Sequence, residues 1–364
     1  MLDFTLSDEQ RMIADTMAQV LTDHGLPAAT PPDRAALWQA LAGLGMAGLP
    51  FAEDRGGAGL GVGDSVFAMI EAGRFGADLP LLPSVLLPAL CLRQGGSETL
   101  PQALVTALIT GQTRLGAAVD DAPSEPVSAR QVSGGVRLAG RKVACLGAEG
   151  AQAHLLITQQ AVFLVPADTP GLICEAYQLV DGQCAADLRF DGVELPASAQ
   201  IGGPPLAALL RDAGALALTA EALGAMERIN AMTLEHLKTR RQFGQTIGRF
   251  QVLQHKMVDM VHETEHLTSL TRLAALECDA TDSGAATRRA RAVSRLKRHL
   301  ATRIRPAAAA AIQLHGGIGM TAEYVLGALV KRVLVADMLF GTAEDHAARL
   351  RRLLVEDPLQ DLPI

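Results

Sequence analysis

Aromatic residues are nearly missing from this sequence. Its 364 residues include one Trp, two Tyr and nine Phe, although 49% of the chain is hydrophobic. Core filling therefore falls to Leu, Ala, Val and Met, a set that favours helices. Cysteine pairing is missing too. Cys91, Cys145, Cys174, Cys184 and Cys278 are an odd number and show no CxxC spacing. That excludes a disulfide framework and suits reduced thiols in a cytoplasmic protein. No Lys/Arg block approaches the basic footprint of a nucleic-acid binder and the net charge is −7, so nucleic acid is not an expected partner. No apolar run reaches the roughly 20 residues that cross a bilayer. LPLLPSVLLPALCL, the most apolar early segment, is interrupted by Pro80, Pro83 and Pro88. The opening MLDFTLSDEQ is acidic and lacks the basic start and apolar run of a signal peptide. No membrane association is expected.

The length allows two or three packed units and a sizeable core. Ser7 to Gln10 carries a capping-box pattern, and Met12, Ile13, Met17, Val20 and Leu21 follow at helical spacing. Glycine-rich EDRGGAGLGVGDS (Glu53 to Ser65) predicts a loop, after which helical texture resumes and continues to about Thr113. GGVRLAGRKVACL and HLLITQQAVFLVPA read as short β runs, the second turning at Gln159-Gln160. RFDGVELPASAQIGG reads as a strand end and a linker. From Pro204 the texture is helical again. Leu253, Met257, Met260, Val261, Leu267 and Ala274 form one stripe. Pro306 marks a helix start, and Gly316-Gly317 its end. The expected domains are 1–113 helical, 114–203 a small β domain and 204–364 a helical bundle.

Two local patterns invite chemistry and resist it. GVRLAGRK, Gly135 to Lys142, has glycine spacing near that of a phosphate loop, but no Lys follows the second glycine directly and no Ser/Thr comes after. A hairpin is the expected reading. HETEH satisfies HExxH: His262 and His266 share a helix face, and Glu263 stands where a zinc hydrolase keeps its base. Both histidines lie opposite the apolar stripe and no third ligand follows in the sequence, so no metal is expected and a zinc hydrolase remains a remote alternative.

Two further stretches carry more information together: TRRQFGQTIGRFQVLQHKMVDM (Thr239 to Met260) and AIQLHGGIGMTAEY (Ala311 to Tyr324). Arg240 suits bidentate pyrophosphate binding, and Phe243 suits stacking. Gln251 and Gln313 carry amide donors, and Gly316 and Gly317 allow close phosphate approach. Chemistry alone gives a dinucleotide site or, as blandly, a helix-start loop and a helix end.

R-x-Q-F-G…F-Q, followed by Q-L-H-G-G-x-G-M-T, resembles the C-terminal signature of acyl-CoA dehydrogenases. LSDEQ, RGGAGLG and RFDGVELPASAQIGG resemble that family's opening helix, glycine loop and link to its final bundle. The resemblance implies an N-terminal helical domain, a barrel-like middle domain and a C-terminal four-helix bundle. It implies an FAD-dependent enzyme that dehydrogenates an acyl-CoA thioester between its α and β carbons, tetrameric, with an electron-transfer flavoprotein as acceptor. By it, Arg240, Phe243, Phe250, Gln251, Gln313, Gly316 and Gly317 would hold the ADP half of a neighbour's FAD, and Thr342 would contact a flavin in its own subunit.

The departures gather at the reacting end. Phe340 stands where the family keeps a catalytic glutamate before Gly341-Thr342, and phenylalanine accepts no proton. The family's alternative position for the base aligns near Gly214 and Ala215, with Asp212 close by. Glu344 and Asp345 are candidates for a displaced base, though acids also suit a helix's first turn. The Trp-x-Thr of the β domain is replaced by Ala144 and Leu146, and AVDDAPSEPVSAR offers no clean counterpart of the family's substrate loop. LFGTAEDH resembles dehydrogenases built from two unlike subunits that act on steroid side chains or dicarboxylic acyl-CoAs. The expectation is a base-less subunit of such a heteromer. A homo-oligomer with a displaced base and a non-catalytic structural subunit are the alternatives.

Overall fold

A computed structural model describes residues 6–27, 33–96 and 99–356 of the chain. In chain order the helices are α1 (Asp8–Asp23), α2 (Arg34–Gly43), α3 (Val62–Phe75), α4 (Leu87–Gly95), α5 (Gln102–Ile109) and α6 (Pro204–Thr239). They continue as α7 (Gln251–Asp279), α8 (Ala285–His299), α9 (Arg305–His315), α10 (Leu326–Met338) and α11 (Ala343–Glu356). The main sheet holds β1 (Leu115–Ala118), β2 (Ser128–Val132), β3 (Gly135–Leu146), β4 (Ala153–Ile157), β5 (Val162–Pro166), β6 (Leu172–Gln178), β7 (Cys184–Pro196) and β8 (Gln200–Gly202). The expected mainly helical protein with a central β part is what forms. Two compact units interleave along the chain. One comprises Met1–Pro32, Val66–Ala77 and Ala215–Ile364, the other Asp33–Ser65 and Asp78–Gly214.

The first unit is helical. Its α1 opens on the capping box: Ser7 Oγ accepts from the Gln10 N–H, and Gln10 Oε1 accepts from the Ser7 N–H. Ile13, Met17, Val20 and Leu21 are buried as expected, but Met12 points to solvent, because it lies one residue outside the 3.6-residue stripe. Every residue of α6 from Ala215 to Met226 is buried, so this helix runs through the core and shows no polar face. It crosses α3 at two glycines: a Cβ on Gly224 would lie 1.8 Å from the Ile70 carbonyl oxygen, and one on Gly73 1.9 Å from that of Glu221. Beside the crossing, buried Arg332 of α10 pairs with Glu221 at 2.7 Å and donates to the Ala77 carbonyl.

Pro306 stands in the first turn of α9 as the sequence reading has it, but no loop precedes it. α8 and α9 run on through a π-helical turn at Leu300–Ile304. The wider turn accommodates the proline ring and its missing N–H, and Gly316 ends the rod as expected. On α7, Met257, Met260, Leu267 and Ala274 are buried, whereas Val261 is exposed.

The second unit is built on the eight-stranded sheet, ordered β6-β7-β3-β1-β4-β5-β8 with β2 on β3. Its core includes Val136, Leu138, Leu156, Phe163, Leu188 and Phe190. β4 and β5 turn at Gln159-Gln160, where the Thr158 N–H donates to the Ala161 carbonyl. GVRLAGRK is not a hairpin. It is one stretch of β3 with a bulge between Leu138 and Gly140, and the hairpin turn lies before it, between β2 and β3. Lys142 is fully buried, donating to the Val119 and Ile157 carbonyls and pairing with Asp121 at 2.8 Å. It is a structural cation. In the glycine-rich loop, a Cβ on Gly57 would lie 2.1 Å from the Phe51 carbonyl oxygen, so RGGAGLG closes backbone against backbone.

His154 of β4 gives this unit an acid sensitivity. It is buried, its Nδ1 has no hydrogen-bond partner among the described residues, and burial holds its pKa down at about 4, from 6.5. Above pH 6.5 the ring is neutral folded or unfolded, and this contribution is fully present. Between 6.5 and about 4 the unfolded chain binds the extra proton first, and stability falls by up to about 1.4 kcal/mol per pH unit. The expected result is a denaturation midpoint that drops from pH 6.5 to 4.5, with His154→Met flattening that slope. Equal slopes in the two proteins would assign the acid sensitivity elsewhere.

Candidate functional site

The two C-terminal motifs sit at neighbouring helix ends of the first unit. After Thr239 the chain forms a miniature hairpin, β9 (Arg241–Gln242) paired with β10 (Gln245–Thr246). Its two-residue turn needs positive φ at both central positions. Gly244 (φ 79°) suits this, but Phe243 adopts φ 52°, at a cost of about 1–2 kcal/mol. The ring so presented is 89% exposed, touching Phe250 edge-on at 6.1 Å. Phe250 leads into α7, whose first residue is Gln251.

The other motif ends α9. His315 is buried and stacks on His236 of α6, ring centroids 4.5 Å apart. Its Nδ1–H donates to the Ala311 carbonyl, leaving Nε2 to accept from the Tyr324 hydroxyl at 3.3 Å. Burial, then the neighbouring His315 and Arg240, lower the His236 pKa, which favours the neutral form of His236. This stack joins the end of α6, where Arg240 emerges, to the end of α9. Beyond it Gly316 adopts φ 65°, ψ −143°, a conformation only glycine takes readily. A Cβ on Gly316 or Gly317 would meet nothing within 4 Å. Arg240, Gln251, Gln313, Gly316 and Gly317 are all exposed. One end of the bundle thus offers a guanidinium, an aromatic face, two amides and an open diglycine backbone.

The Phe340 segment is built for rigidity. Lys297 of α8 is fully buried and donates to the carbonyls of Ala336 (2.5 Å), Asp337 (3.2 Å) and Leu339 (2.7 Å). It satisfies orphan acceptors at the end of α10 and pins the next loop. His346 Nε2–H donates to the Phe340 carbonyl, and its Nδ1 accepts from the Ser294 hydroxyl. Phe340 itself is 8% exposed and left-handed, φ 58°. Thr342 precedes α11. Its N–H and hydroxyl donate to Asp345 Oδ2, at 2.9 and 2.8 Å, while its oxygen accepts from the Asp345 N–H at 3.3 Å. Hydrogen bonds from the Thr342 backbone and hydroxyl lower the Asp345 pKa. Asp345 is therefore engaged as a helix cap and weakened as a base. Glu344 is exposed. Asp212 is buried.

In the second unit Ala144 also has a left-handed backbone, φ 49°, its N–H shared between the Tyr177 oxygen and Asp187 Oδ1, both at 3.1 Å. Ala144, Phe243 and Phe340 are the only non-glycine residues with positive φ among the described residues. Backbone strain of this kind gathers at functional sites.

His262 and His266 share a face of α7 as their spacing suggests, with ring centroids 4.3 Å apart. Glu263 faces His299 of α8 as well as His266. The sequence reading missed His299, because no linear spacing links α8 to that motif.

Residues 7–112 match the family model for the acyl-CoA dehydrogenase N-terminal domain, and residues 208–354 that for the acyl-CoA dehydrogenase C-terminal domain. The chain belongs to the acyl-CoA dehydrogenase family. This is a family of FAD-dependent oxidoreductases that act on CH–CH bonds. The chain is 29% identical over 338 residues to the acyl-CoA dehydrogenase FadE27 of Mycobacterium tuberculosis, covering 88% of each protein. Among solved structures it resembles the ChsE4-ChsE5 complex of Mycobacterium tuberculosis, with TM-score 0.89 and 26% identity over 98% of this chain and 100% of that one. A variant of the Tcur3481-Tcur3483 steroid ACAD gives TM-score 0.84 and 29% identity over 97% and 99%. Among the described residues no helix is long and apolar enough to cross a membrane.

Proposed function

We propose that this chain is the base-less subunit of a heteromeric, FAD-dependent acyl-CoA dehydrogenase, acting with a homologous chain that bears the catalytic carboxylate. The carrying observation is the division of its site. Groups suited to an ADP moiety stand exposed and tied together through the His236–His315 stack, whereas the family's base position holds buried, apolar Phe340. The ADP half of an FAD fits the open backbone of Gly316-Gly317 and the exposed Phe243 ring. Arg240 would bind the pyrophosphate bidentately, Gln251 and Gln313 would donate amide hydrogen bonds, and Phe243 would stack, with Phe250 behind it. FAD, when bound, supplies the hydride acceptor.

Phe340 excludes water from its surroundings and takes no proton. In this reading the α-proton of the acyl-CoA leaves to the partner's carboxylate. Thr342 has a reduced role, because its hydroxyl is already shared with Asp345. The names of two structural relatives, a two-chain complex and a steroid ACAD, support the two-chain reading and a steroid-type acyl group. An electron-transfer flavoprotein is the acceptor we assign.

The test is a visible spectrum with flavin-to-protein ratio, for the chain alone and co-expressed with a homologous base-bearing chain. Colourless protein alone, and yellow complex with one FAD per pair that turns over acyl-CoA, is expected. One FAD per chain in the homo-oligomer, bleached by acyl-CoA, would overturn it. In that case Glu344, the exposed carboxylate of α11's first turn, becomes the base to test by Glu344→Gln. Yellow complex without turnover would point to a structural subunit.

A further inference from the structure

Away from the proposed flavin grip, three ligating side chains converge on the outer face of the bundle. Glu263 and His266 are three residues apart on α7, so they share a face. His299, the last residue of α8, comes up against them. Glu263 Oε2 lies 3.5 Å from His299 Nε2 and 3.8 Å from His266 Nδ1. One ligand atom from each of the three lies within 4.8 Å of the others. Metal–ligand bonds of about 2.0–2.2 Å in a tetrahedral site put ligand atoms roughly 3.3–3.6 Å apart. Small rotations of exposed His266 would close that gap.

The surroundings support a built site. Thr264, between the two α7 ligands, is buried; it donates to the Met260 carbonyl and accepts from Asn230 Nδ2 at 2.9 Å, which anchors this turn of α7 to α6. His299 is also fixed, its Nε2–H donating to the Glu263 carbonyl at 3.1 Å. It immediately precedes the π-helical turn at Leu300–Ile304, and such turns mark functional sites often. The side chains of His299 and Glu263 are 12% and 23% exposed, and that of His266 is 55% exposed. Two ligands are therefore largely buried side by side and the third can swing onto an ion.

We infer that Glu263, His266 and His299 form a mononuclear site for a borderline divalent transition metal, of the Zn²⁺ or Co²⁺ kind, with one position open to water. Two imidazoles and one carboxylate match that class, whereas Mg²⁺ and Ca²⁺ prefer all-oxygen sets. The ion displaces the proton that His299 Nε2 donates to the Glu263 carbonyl, exchanging that hydrogen bond for a metal bond, and clamps α7 to α8 beside the π turn. No hydrolytic step follows, because Glu263 is spent as a ligand.

The test uses the full chain, stripped with chelator and dialysed, then titrated with Co²⁺ by visible absorption and with Zn²⁺ by calorimetry. One equivalent of Co²⁺ with an intense tetrahedral spectrum is expected. His266→Ala, at an exposed ring that leaves the fold intact, and Glu263→Gln should each weaken Zn²⁺ binding at least about tenfold. His255→Ala, exposed on the same helix, should bind like wild type. Zn²⁺ should raise the melting temperature of wild type but not of His266→Ala. Absence of a saturable equivalent, or unchanged binding in His266→Ala and Glu263→Gln, would overturn the site. The measurement needs no flavin and no partner, so its outcome is separate from that of the proposed activity.

Discussion

Arg240→Met in the assembled two-chain enzyme should weaken FAD binding by about two orders of magnitude and leave the fold intact. Arg240 emerges at the end of α6. Its backbone N–H donates to His236, but its side chain is exposed and makes no hydrogen bond or ion pair among the described residues. Removing it should therefore change stability by no more than about 0.5 kcal/mol. On the cofactor side, a charged, bidentate contact to a pyrophosphate is the strongest single interaction this chain offers. Truncating one partner of a desolvated charge pair costs about 2–5 kcal/mol, or roughly 30-fold and upward in affinity. Arg240→Lys keeps the charge and loses the fork, so it should fall between wild type and Arg240→Met. The measurement is flavin retained through gel filtration, with dissociation constants from fluorescence and a melting curve for each variant. Full retention by Arg240→Met at an unchanged melting temperature would remove this end of the bundle as the flavin grip.

The elements that carry the proposed ADP grip were legible because their signals are local. R-x-Q-F-G encodes a two-residue hairpin and Q-L-H-G-G a helix end, each short and rich in glycine or charge. What joins them was not legible. The His236–His315 stack needs the ends of α6 and α9 side by side, and neither histidine sits in a spacing that announces the other. The same holds for Lys297, whose three carbonyl acceptors lie about forty residues downstream, and for His299, which completes the cluster with Glu263 and His266. The capping box at Ser7 was readable, since its partners lie three residues apart. Pro306 marked the first turn of α9, but nothing in the residue pattern shows that a π turn joins α9 directly to α8.

Strain adds what side chains hide. Ala144 and Phe340 adopt the left-handed backbone seen also at Phe243. For alanine and phenylalanine this costs about 1–2 kcal/mol each. Asp187 and Tyr177 hold Ala144, while Lys297 and His346 hold the segment around Phe340.

Gly224→Ala should be the most damaging small substitution in the first unit. Glycine inside a helix normally gives up about 0.5–1 kcal/mol relative to alanine, so propensity alone forecasts a gain. Packing forecasts the opposite. The new methyl would lie 1.8 Å from the Ile70 carbonyl oxygen and 2.7 Å from the Arg74 nitrogen. Both obstacles are backbone of α3 and cannot swing aside. The helices would have to separate by about 1 Å, which breaks close packing along the crossing. One turn away, Gly73 meets the Glu221 carbonyl, and the Glu221 carboxylate holds buried Arg332. Breaking such a buried pair costs about 3–5 kcal/mol, a large share of the 5–15 kcal/mol that a folded domain usually has. The expected result is a melting temperature lower by ten degrees or more on the order implied by that loss, with little soluble protein. Gly327→Ala is the control, because a Cβ there meets nothing closer than 3.8 Å, and propensity should win with a gain of a few tenths of a kcal/mol. If both substitutions stabilise, α3 and α6 do not cross backbone to backbone, and the core assigned to the first unit is wrong.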